Sequence, residues 1–338
     1  MSGKRIAVLG TGANGAGIGA DLTRAGLDIT FIEQWPEHVA AMRANGIRVQ
    51  MPNRVETTAV RALNLCEVAT VRENFDLVFV LVKAYDTRWA CELIKPVLGR
   101  DSLVVGLQNG MTIDDMAEVI GVERTLGAVI EVAGNMFEPG VVNRQNPPEE
   151  SWFAVGSLDV STQGREQEVA DILSHAGTVE ISDDIRSSKW MKLVVNAAEL
   201  VPSAILDLPL AEAVDVPGMR AFMLECGREC VRTAVESGNQ VRPIFGMSDA
   251  GTDDPDRFAE ELLDVVLDRF SLPDTLTTVL QDWRKGRRSE FAEINGLIVD
   301  EQHRLGGKAP ANERTVELAL RIERGLLKAQ PSNIGLLL

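Results

Sequence analysis

A lysine and an asparagine one helical turn apart have the types and spacing to do carbonyl chemistry. Lys192 and Asn196 lie in the apolar segment Lys189-Trp-Met-Lys-Leu-Val-Val-Asn196, and a spacing of four places both on one face of a helix. Burying either side chain unpaired costs several kcal/mol, so we expect both to line a polar cleft. There a lysine can bind a carboxylate, or protonate a carbonyl oxygen as a hydride reaches the carbon. The alternative is that Lys192 reaches solvent along its aliphatic stem.

A glycine-rich stretch near the start of the chain predicts a dinucleotide site. The spacing G-x-G-x-x-G follows the short apolar run Ile6–Leu9 and precedes a predicted helix. The three glycines of this motif give a tight turn, close approach of the backbone to a pyrophosphate, and close packing of the helix. The N-terminus of the helix then favours the phosphates. The predicted cofactor loop comprises Gly10, Thr11, Gly12, Ala13, Asn14 and Gly15.

Glu33 predicts a preference between the two nicotinamide cofactors. It follows a second predicted strand, Asp28–Ile32, where the ribose of a bound dinucleotide would lie. A carboxylate accepts hydrogen bonds from the ribose hydroxyls but repels a 2′-phosphate. Gln34 and Trp35 come next, with no arginine or lysine beside them. The sequence therefore favours NAD(H), with NADP(H) as the alternative.

Two polar residues fall where predicted strands end. Lys83 follows the apolar run Leu77–Val82, and Asn109 stands just beyond Leu103–Leu107. Ligands of open α/β sheets bind beyond the carboxyl ends of the strands. We therefore expect both side chains to face cofactor and substrate, although a solvated lysine and a turn asparagine remain the alternatives.

The predicted secondary structure that positions these residues changes once along the chain, from alternating strands and helices to helices alone. Up to residue 184, strands alternate with helices, which indicates an α/β, doubly wound, Rossmann-type parallel sheet. The predicted elements include two strands over Ile47–Met51 and Thr57–Leu65, in an extended or hairpin excursion, and a helix after Lys83 that reaches about Leu98. Helical periodicity dominates afterwards. The sequence therefore predicts a dinucleotide-binding domain over residues 1–184 and an all-α substrate and dimerisation domain over residues 185–338. Inside the second domain, the acidic segment Met247–Asp256 is predicted to be a surface loop, and Leu336–Leu338 is either a frayed tail or a dimer contact.

Composition limits the partners. The formal net charge of −16 over 338 residues argues against nucleic acid and against an anionic membrane, but not against a small anionic substrate. No apolar run approaches the roughly 20 residues that span a bilayer, and no signal peptide is recognised. Four cysteines without a C-x-x-C pair indicate a reducing, cytoplasmic compartment. The three histidines lack the spacing of metal ligands.

Taken as a set in this order, the motifs resemble the ketopantoate reductase (2-dehydropantoate 2-reductase) family over nearly the whole chain. The motifs that carry the resemblance are Gly10–Gly15, Val82-Lys83 with Thr87, Leu107-Gln-Asn-Gly110, Lys192–Asn196 and Ser289-Glu-Phe-Ala-Glu-Ile-Asn-Gly296. The resemblance implies an NAD(P)H-dependent oxidoreductase of pantothenate biosynthesis that reduces a 2-oxo acid to a D-2-hydroxy acid. It also implies a homodimer and a helical second domain like the C-terminal domain of 6-phosphogluconate dehydrogenase.

The resemblance further implies roles for single residues. Lys192 matches the proton donor, Asn196 a substrate ligand, Asn109 a contact to cofactor and substrate, Glu290 a cofactor contact at the cleft, Ala133 a backbone contact to the cofactor, and Thr278 a substrate-binding serine. We count Lys192, Asn196 and Glu290 as the predicted catalytic set. From the residues alone, Glu290 is predicted to begin the next helix, where its carboxylate would complement the helix dipole. It could equally pair with Lys192.

Two departures from the family pattern bear on the substrate. Leu200 and Leu210 fall where the family has asparagines. Losing hydrogen bonds to a hydroxylated substrate weakens discrimination for it, so a more apolar 2-oxo acid is an alternative to ketopantoate. Two further alternatives are a nucleotide-binding Rossmann protein without catalysis and an amine-forming, opine-type dehydrogenase.

Overall fold

The structure, a computed structural model, describes residues 3–248 and 254–338. The chain divides into two compact units, the first ending at Ile185 and the second beginning at Arg186. The predicted boundary at residue 184 therefore falls one residue before the division. Part of the predicted acidic loop, residues 249–253, lies outside the described residues.

Unit 1 carries the strands of the described chain. In order they are β1 (Arg5–Leu9), β2 (Asp28–Glu33), β3 (Ile47–Gln50), β4 (Val55–Thr58), β5 (Arg61–Asn64), β6 (Phe75–Val80), β7 (Leu98–Gly106), β8 (Thr125–Glu131), β9 (Gly134–Glu138), β10 (Val141–Arg144), β11 (Trp152–Ser157) and β12 (Thr178–Ile181). Its α-helices are α1 (Ala13–Arg24), α2 (Pro36–Asn45), α3 (Thr87–Ile94), α4 (Ile113–Ile120) and α5 (Glu166–Leu173).

Eight strands form the main sheet in the order β12-β11-β8-β7-β6-β1-β2-β5. Neighbours are parallel except for the antiparallel pair β11 and β8. Strand β1 lies between β2 and β6, with Val8 opposite Phe31 on one side and Phe79 on the other. This is where the strand order reverses, and in doubly wound sheets the ligand binds beyond the carboxyl ends of the strands at that point. The predicted α/β fold class is confirmed.

The central strands β1 and β6 of the main sheet are largely apolar because both of their faces are buried. Ile6, Val8 and Phe79 belong to one buried cluster, while Ala7 and Val80 belong to the other. Alternate residues of one strand thus enter different cores, which explains the continuous apolar runs in the sequence.

A smaller four-stranded sheet has the order β4-β3-β10-β9. Strands β3 and β4 pair antiparallel and form the hairpin of the predicted excursion. The prediction of a single strand over Thr57–Leu65 was wrong. This segment splits at residues 59–60, because β4 pairs with β3 whereas β5 pairs with β2 in the main sheet. Strand β9 had not been predicted; it pairs antiparallel with β10.

Three other predicted elements have different bounds in the structure. The strand predicted over Leu77–Val82 begins and ends two residues earlier, the helix predicted to reach Leu98 ends at Ile94, and the strand predicted from Leu103 begins at Leu98. Each error lies at the edge of an apolar run, where the pattern does not mark the end of an element.

A buried ion pair joins α1 to the smaller sheet. Arg144 on β10 and Asp21 on α1 are 2% and 4% exposed, and their side chains are in direct contact. The guanidinium also donates to Asn146 O at 2.8 Å, to Ser151 Oγ at 2.9 Å and to Ala176 O at 3.0 Å. Arg144 thus satisfies several buried oxygens at once.

The described residues of unit 2 form helices joined by loops, without a strand, as predicted. Its α-helices are α6 (Ile185–Ile205, starting at the last residue of unit 1), α7 (Leu210–Val214), α8 (Met219–Glu236), α9 (Pro255–Arg269), α10 (Thr278–Arg284), α11 (Leu297–Arg304), α12 (Pro310–Glu323) and α13 (Ile334–Leu337), with a π-helix at Ala292–Gly296 before α11. Helix α8 packs against α9, α11 and α12. Cys226 and Cys230 are free, buried thiols of α8.

Within the two described ranges, no helix combines the length and the apolarity that crossing a membrane requires.

Candidate functional site

The glycine loop lies at the switch point of the main sheet. Gly10 follows β1 with a φ of +90°, and a Cβ there would lie 2.6 Å from the backbone nitrogen of Val82, just beyond β6. A Cβ at Gly15 would clash with the carbonyl oxygen of Gly10. The fold itself therefore requires these two glycines, one for a left-handed turn and one for close packing of α1.

Gly12 differs from Gly10 and Gly15, because no contact among the described residues requires a glycine at this position. A Cβ at Gly12 would have no described heavy atom within 4 Å, and its φ of −62° is open to any residue. Gly12 is the N-cap of α1, whose first turn has no acidic residue and whose cap makes no side-chain hydrogen bond in the described structure. An exposed helix N-terminus without a carboxylate suits an anion. The loop therefore fits a pyrophosphate that approaches the backbone.

Gly12→Ala is expected to separate binding from folding. Since the new methyl group meets no protein atom, the melting temperature should stay at the wild-type value. The Kd for NADH should rise at least about tenfold, which corresponds to about 1.4 kcal/mol, because the methyl group occupies the path of the pyrophosphate. Fluorescence titration with NADH measures this effect.

Gly335→Ala is the matched control for this variant. Gly335 also has no heavy atom within 4 Å of a built Cβ and no positive φ, so its replacement should change neither quantity. Unaltered NADH affinity in Gly12→Ala would remove the loop from the predicted cofactor site.

Glu33 anchors the glycine loop. Its Oε2 accepts from the N–H and the hydroxyl of Thr11 at 2.7 and 2.9 Å, and its Oε1 accepts from the N–H groups of Gln34 and Trp35 at 2.8 and 3.0 Å. These four donors fill the four acceptor positions of a carboxylate. A ribose hydroxyl could bond to Glu33 only by replacing one of them. The side chain of predicted cofactor residue Thr11 is likewise used inside the protein and is buried.

His38 holds the same loop from the other side. Its Nδ1 accepts from Gly140 N–H at 2.9 Å, so Nε2 carries the proton and donates to Thr11 O at 2.9 Å. Burial lowers the pKa of His38, against the opposing effect of the Glu33 charge. No local pattern indicates this role of His38, because Gly140 is 102 positions away in the chain.

Gln108 joins the two chain segments that carry Lys83 and Asn109. The Gln108 amide donates to Val82 O at 2.8 Å and to Thr87 Oγ1 at 2.9 Å, which joins the segments after β6 and β7. Both predicted residues are half-buried at the edge that carries the glycine loop. The predicted placement at the carboxyl ends of the strands holds for both.

Ala133 follows β8 at this edge, and its backbone is already bonded within the protein. Its N–H donates to Asn146 Oδ1 at 3.0 Å, and its carbonyl accepts from Gln145 N–H at 2.8 Å. A cofactor contact at Ala133 would therefore use the second lone pair of the carbonyl oxygen. Asn14, in the first turn of α1, is half-buried.

In unit 2, α6 presents Lys192 and Asn196 as predicted, on one face and buried (8% and 1% exposed). The Lys192 Nζ lies 5.2 Å from the centre of the Phe245 ring, a distance at which the ring attracts the ammonium group. Phe245 is buried and has a φ of +60°, a strained conformation for an aromatic residue. The alternative that Lys192 extends into solvent is wrong.

Phe245 is a site residue that the sequence did not reveal. Its ring packs on Phe270 with centres 5.4 Å apart, and its carbonyl accepts from Arg269 at 2.9 Å. These contacts hold the strained backbone and fix the ring beneath the ammonium group of Lys192. An aromatic residue in an apolar stretch carries no local signal for such a role.

A second lysine on α6, Lys189, is also buried (3% exposed), and desolvation lowers its pKa to about 7. In the unfolded chain a lysine titrates near 10.4, so the unfolded state binds more protons above pH 7. The free energy of unfolding should therefore rise with pH from about 7 towards 10 by a few kcal/mol.

Lys189→Met is expected to remove this pH dependence and to stabilise the protein most below pH 7. Urea unfolding at pH 6 and pH 9 measures both effects. Lys308, an exposed lysine of the same unit, offers the control, since Lys308→Met should leave the wild-type pH dependence intact. Equal pH dependence in the wild type and in Lys189→Met would contradict the pKa assignment.

Two consecutive threonines at α10 have different surroundings. Thr277 is buried and donates to Leu200 O at 3.0 Å. The buried hydroxyl oxygen of Thr278 has no hydrogen-bond partner among the described residues, which fits its predicted contact to substrate. Leu200 and Leu210, the two departures from the family pattern, are 6% and 1% exposed.

Glu290 is buried (4% exposed) and precedes the π-helix. The prediction that it begins an ordinary helix was wrong, since the π-helix intervenes before α11. Its neighbour Ser289 donates from its N–H and hydroxyl to Glu323 Oε1, each at 2.7 Å.

Family models and individual relatives indicate the same family. A family model described as ketopantoate reductase PanE/ApbA matches residues 6–157, and the model of its C-terminal region matches residues 184–323. A 2-dehydropantoate 2-reductase of Archaeoglobus fulgidus is 27% identical over 332 residues, covering 96% of this chain and all of the relative.

Solved structures agree in fold. A PanE/ApbA family ketopantoate reductase from Ralstonia eutropha JMP134 is 30% identical, with a TM-score of 0.80 over 95% of this chain and 99% of its own. A D-mandelate dehydrogenase with NADH and anilino(oxo)acetate is 22% identical, with a TM-score of 0.84 over 95% and 99%; at that identity the likeness shows the fold alone. Because the two family models together match most of its residues, the chain belongs to the ketopantoate reductase family.

Proposed function

We propose that this chain catalyses the NAD(P)H-dependent reduction of a 2-oxo acid to a D-2-hydroxy acid. The observation that carries the proposal is the buried pair on α6, in which the Lys192 ammonium is held over the Phe245 ring with Asn196 one turn away. A buried cation suits a substrate anion or a developing alkoxide. Membership in the ketopantoate reductase family supports the same reaction.

The roles follow from the chemistry of each side chain. A bound nicotinamide supplies the hydride that the carbonyl carbon accepts. Lys192 donates the proton from Nζ to the carbonyl oxygen and regains a proton from solvent. Asn196 and Asn109 offer amide groups to the substrate, and Thr278 offers a hydroxyl that has no partner among the described residues. Glu290 is assigned to the cofactor, as the resemblance implies.

The preferred cofactor, in our proposal, is NADH. Glu33 is buried with its four acceptor positions filled, so its discrimination would rest on charge more than on bonds to the ribose. A carboxylate at the end of β2 repels a 2′-phosphate. Titration with NADH and NADPH tests this assignment, and tighter binding of NADPH would reverse it.

A more apolar 2-oxo acid than ketopantoate is the second candidate substrate. Leu200 continues the Lys192–Asn196 face by one more turn and offers no hydrogen bond through its side chain. A site without an amide there loses discrimination for a hydroxylated substrate and gains affinity for apolar groups. An NAD-dependent D-2-hydroxyacid dehydrogenase would then be the better description of the enzyme.

One assay tests the function and separates these candidates. NADH and NADPH oxidation is followed with ketopantoate and with branched and aromatic 2-oxo acids, and the stereochemistry of the product is determined. We expect turnover of at least one of these acids to the D-product. Turnover only when an amine is added would favour an opine-type dehydrogenase, and nucleotide binding without any turnover would favour a non-catalytic protein.

A cytoplasmic homodimer is the assembly we propose. Leu336 and Leu338 are 43% and 61% exposed at the C-terminus of unit 2, which suits a contact between copies. The free thiols of the chain suit a reducing compartment. Light scattering after size exclusion tests the dimer, and a monomer at micromolar concentration would contradict it.

A further inference from the structure

Side chains bond to backbone carbonyls of α6 immediately after Asn196, around a proline. Pro202 lies inside α6, where a proline removes one backbone hydrogen bond and displaces the carbonyl four residues earlier, here that of Ala198. The neighbouring carbonyls accept from side chains: Ala197 from Asn295 at 3.0 Å, Glu199 from Ser203 at 2.6 Å, and Leu200 from Thr277 at 3.0 Å. This turn of α6 is therefore held by contacts from other segments of unit 2 as well as by its own backbone.

Asn295 makes the contact nearest to the predicted catalytic residues. It is completely buried, and its Nδ2 donates to Ala197 O at 3.0 Å and to Asn312 Oδ1 at 2.8 Å. Because both neighbours are acceptors, the amide can adopt only this orientation. Asn312 is also completely buried and passes the chain of hydrogen bonds on to Glu229 Oε2 at 2.7 Å. Asn295 thus links α6 to α12 and α8.

The same asparagine lies at the end of the segment that carries Glu290. It belongs to the π-helix Ala292–Gly296, in which Gly296 N–H bonds Phe291 O at 3.0 Å. The other end of the segment is held by Ser289 on Glu323. A π-helical turn is wider by one residue and is found frequently at functional sites. Asn295 is the point at which this segment is bonded to α6.

We propose that Asn295 is a positioning residue, which fixes the Glu290 segment against the turn of α6 that carries Asn196. This rests on the proposed function, because it concerns the geometry of that reaction. The acceptor of Asn295 is the residue directly after Asn196, so without the amide donor the two segments can shift relative to each other. A displacement of about 1 Å at reacting groups can lower a rate about 100-fold.

Asn333 provides a matched control, because it also bonds to a backbone carbonyl of α6. It is 2% exposed, and its Nδ2 donates to Ile205 O at 3.0 Å and to Lys328 O at 2.9 Å. Like Asn295, it gives one buried donor to an α6 carbonyl and one to a second acceptor, but it does so beyond Pro202. Asn295→Ala and Asn333→Ala should therefore lower the melting temperature to a similar extent.

The kinetics distinguish the two variants. Well below both melting temperatures, Asn295→Ala should lower kcat for the 2-oxo acid about 10- to 100-fold, a larger factor than any rise in the Kd for NADH that follows from a shift of Glu290. Asn333→Ala should keep kcat within about twofold of the wild type. Should Asn295→Ala be insoluble, Asn295→Ser is the second variant; its shorter side chain also loses the bond to Ala197, so the same loss of kcat is expected.

Equal kcat values for the two variants would overturn the proposal and leave Asn295 a purely structural residue. A wild-type chain that reduced no 2-oxo acid would instead refute the proposed function, and the role of Asn295 would fall with it. Loss of kcat in the Asn295 variant alone supports the assignment.

Discussion

Lys192→Ala is expected to lower kcat for the 2-oxo acid by about 10²- to 10⁴-fold, the usual contribution of a positioned proton donor. The alkoxide that forms as the hydride arrives would lose both its proton source and its cationic partner. The Kd for NADH should remain at the wild-type value, because the glycine loop and its anchors Glu33 and His38 are unaltered. Single-turnover kinetics with NADH and separate titration of the nucleotide measure the two quantities.

Exposed Lys308 supplies the control for this prediction. Lys308→Ala also removes one positive charge from unit 2 and should retain full activity. The Lys192 variant should in addition lose about 0.5–2 kcal/mol of stability, because the attraction between the ammonium group and the Phe245 ring is lost. Near-normal turnover in Lys192→Ala would refute the assignment of the proton donor.

Arg144→Met is expected to destabilise the protein by about 3–5 kcal/mol, the typical cost of removing one partner from a buried ion pair. Asp21 would remain as a buried carboxylate that has lost its buried partner. Ser151 Oγ and the carbonyl oxygens of Asn146 and Ala176 would each lose a donor. Denaturant unfolding measures the change in free energy.

Arg24, the more exposed partner of the Asp21 carboxylate, provides the comparison for the Arg144 variant. Arg24 also contacts Asp21, but its side chain is 29% exposed, so Arg24→Met should cost about 1 kcal/mol or less. Replacing both buried partners, as in Asp21→Leu with Arg144→Met, should recover much of the lost stability. A cost below about 1 kcal/mol for Arg144→Met alone would contradict the view that this pair fastens α1 to the smaller sheet.

Features encoded by a short pattern were predictable. The apolar runs of β1 and β6 announce strands buried on both faces, and the spacing of the glycines announces the turn into α1. Lys192 and Asn196 were predictable as neighbours because a helix fixes the geometry of residues four apart. Strand β9 was not predicted, because Gly134–Glu138 has no clear apolar alternation. Its hydrogen bonds to β10 stabilise the strand, and the local sequence does not show them.

The contacts around the site depend on residues far apart in the chain. Asn295 and Ala197 are 98 positions apart, Arg144 and Asp21 are 123 apart, and the donors to Glu33 include Thr11, 22 positions earlier. No local periodicity specifies which distant acceptor a buried amide or guanidinium will meet. The two-part fold, the glycine loop at the start of α1 and the position of Lys192 on α6 could be predicted from the sequence, because a local period or spacing encodes each of them. The sequence does not predict that the loop already bonds Glu33, that Phe245 lies under Lys192, or that Asn295 donates to Ala197 O. Each of these contacts joins distant parts of the chain, and packing settles the choice of partner among buried polar groups.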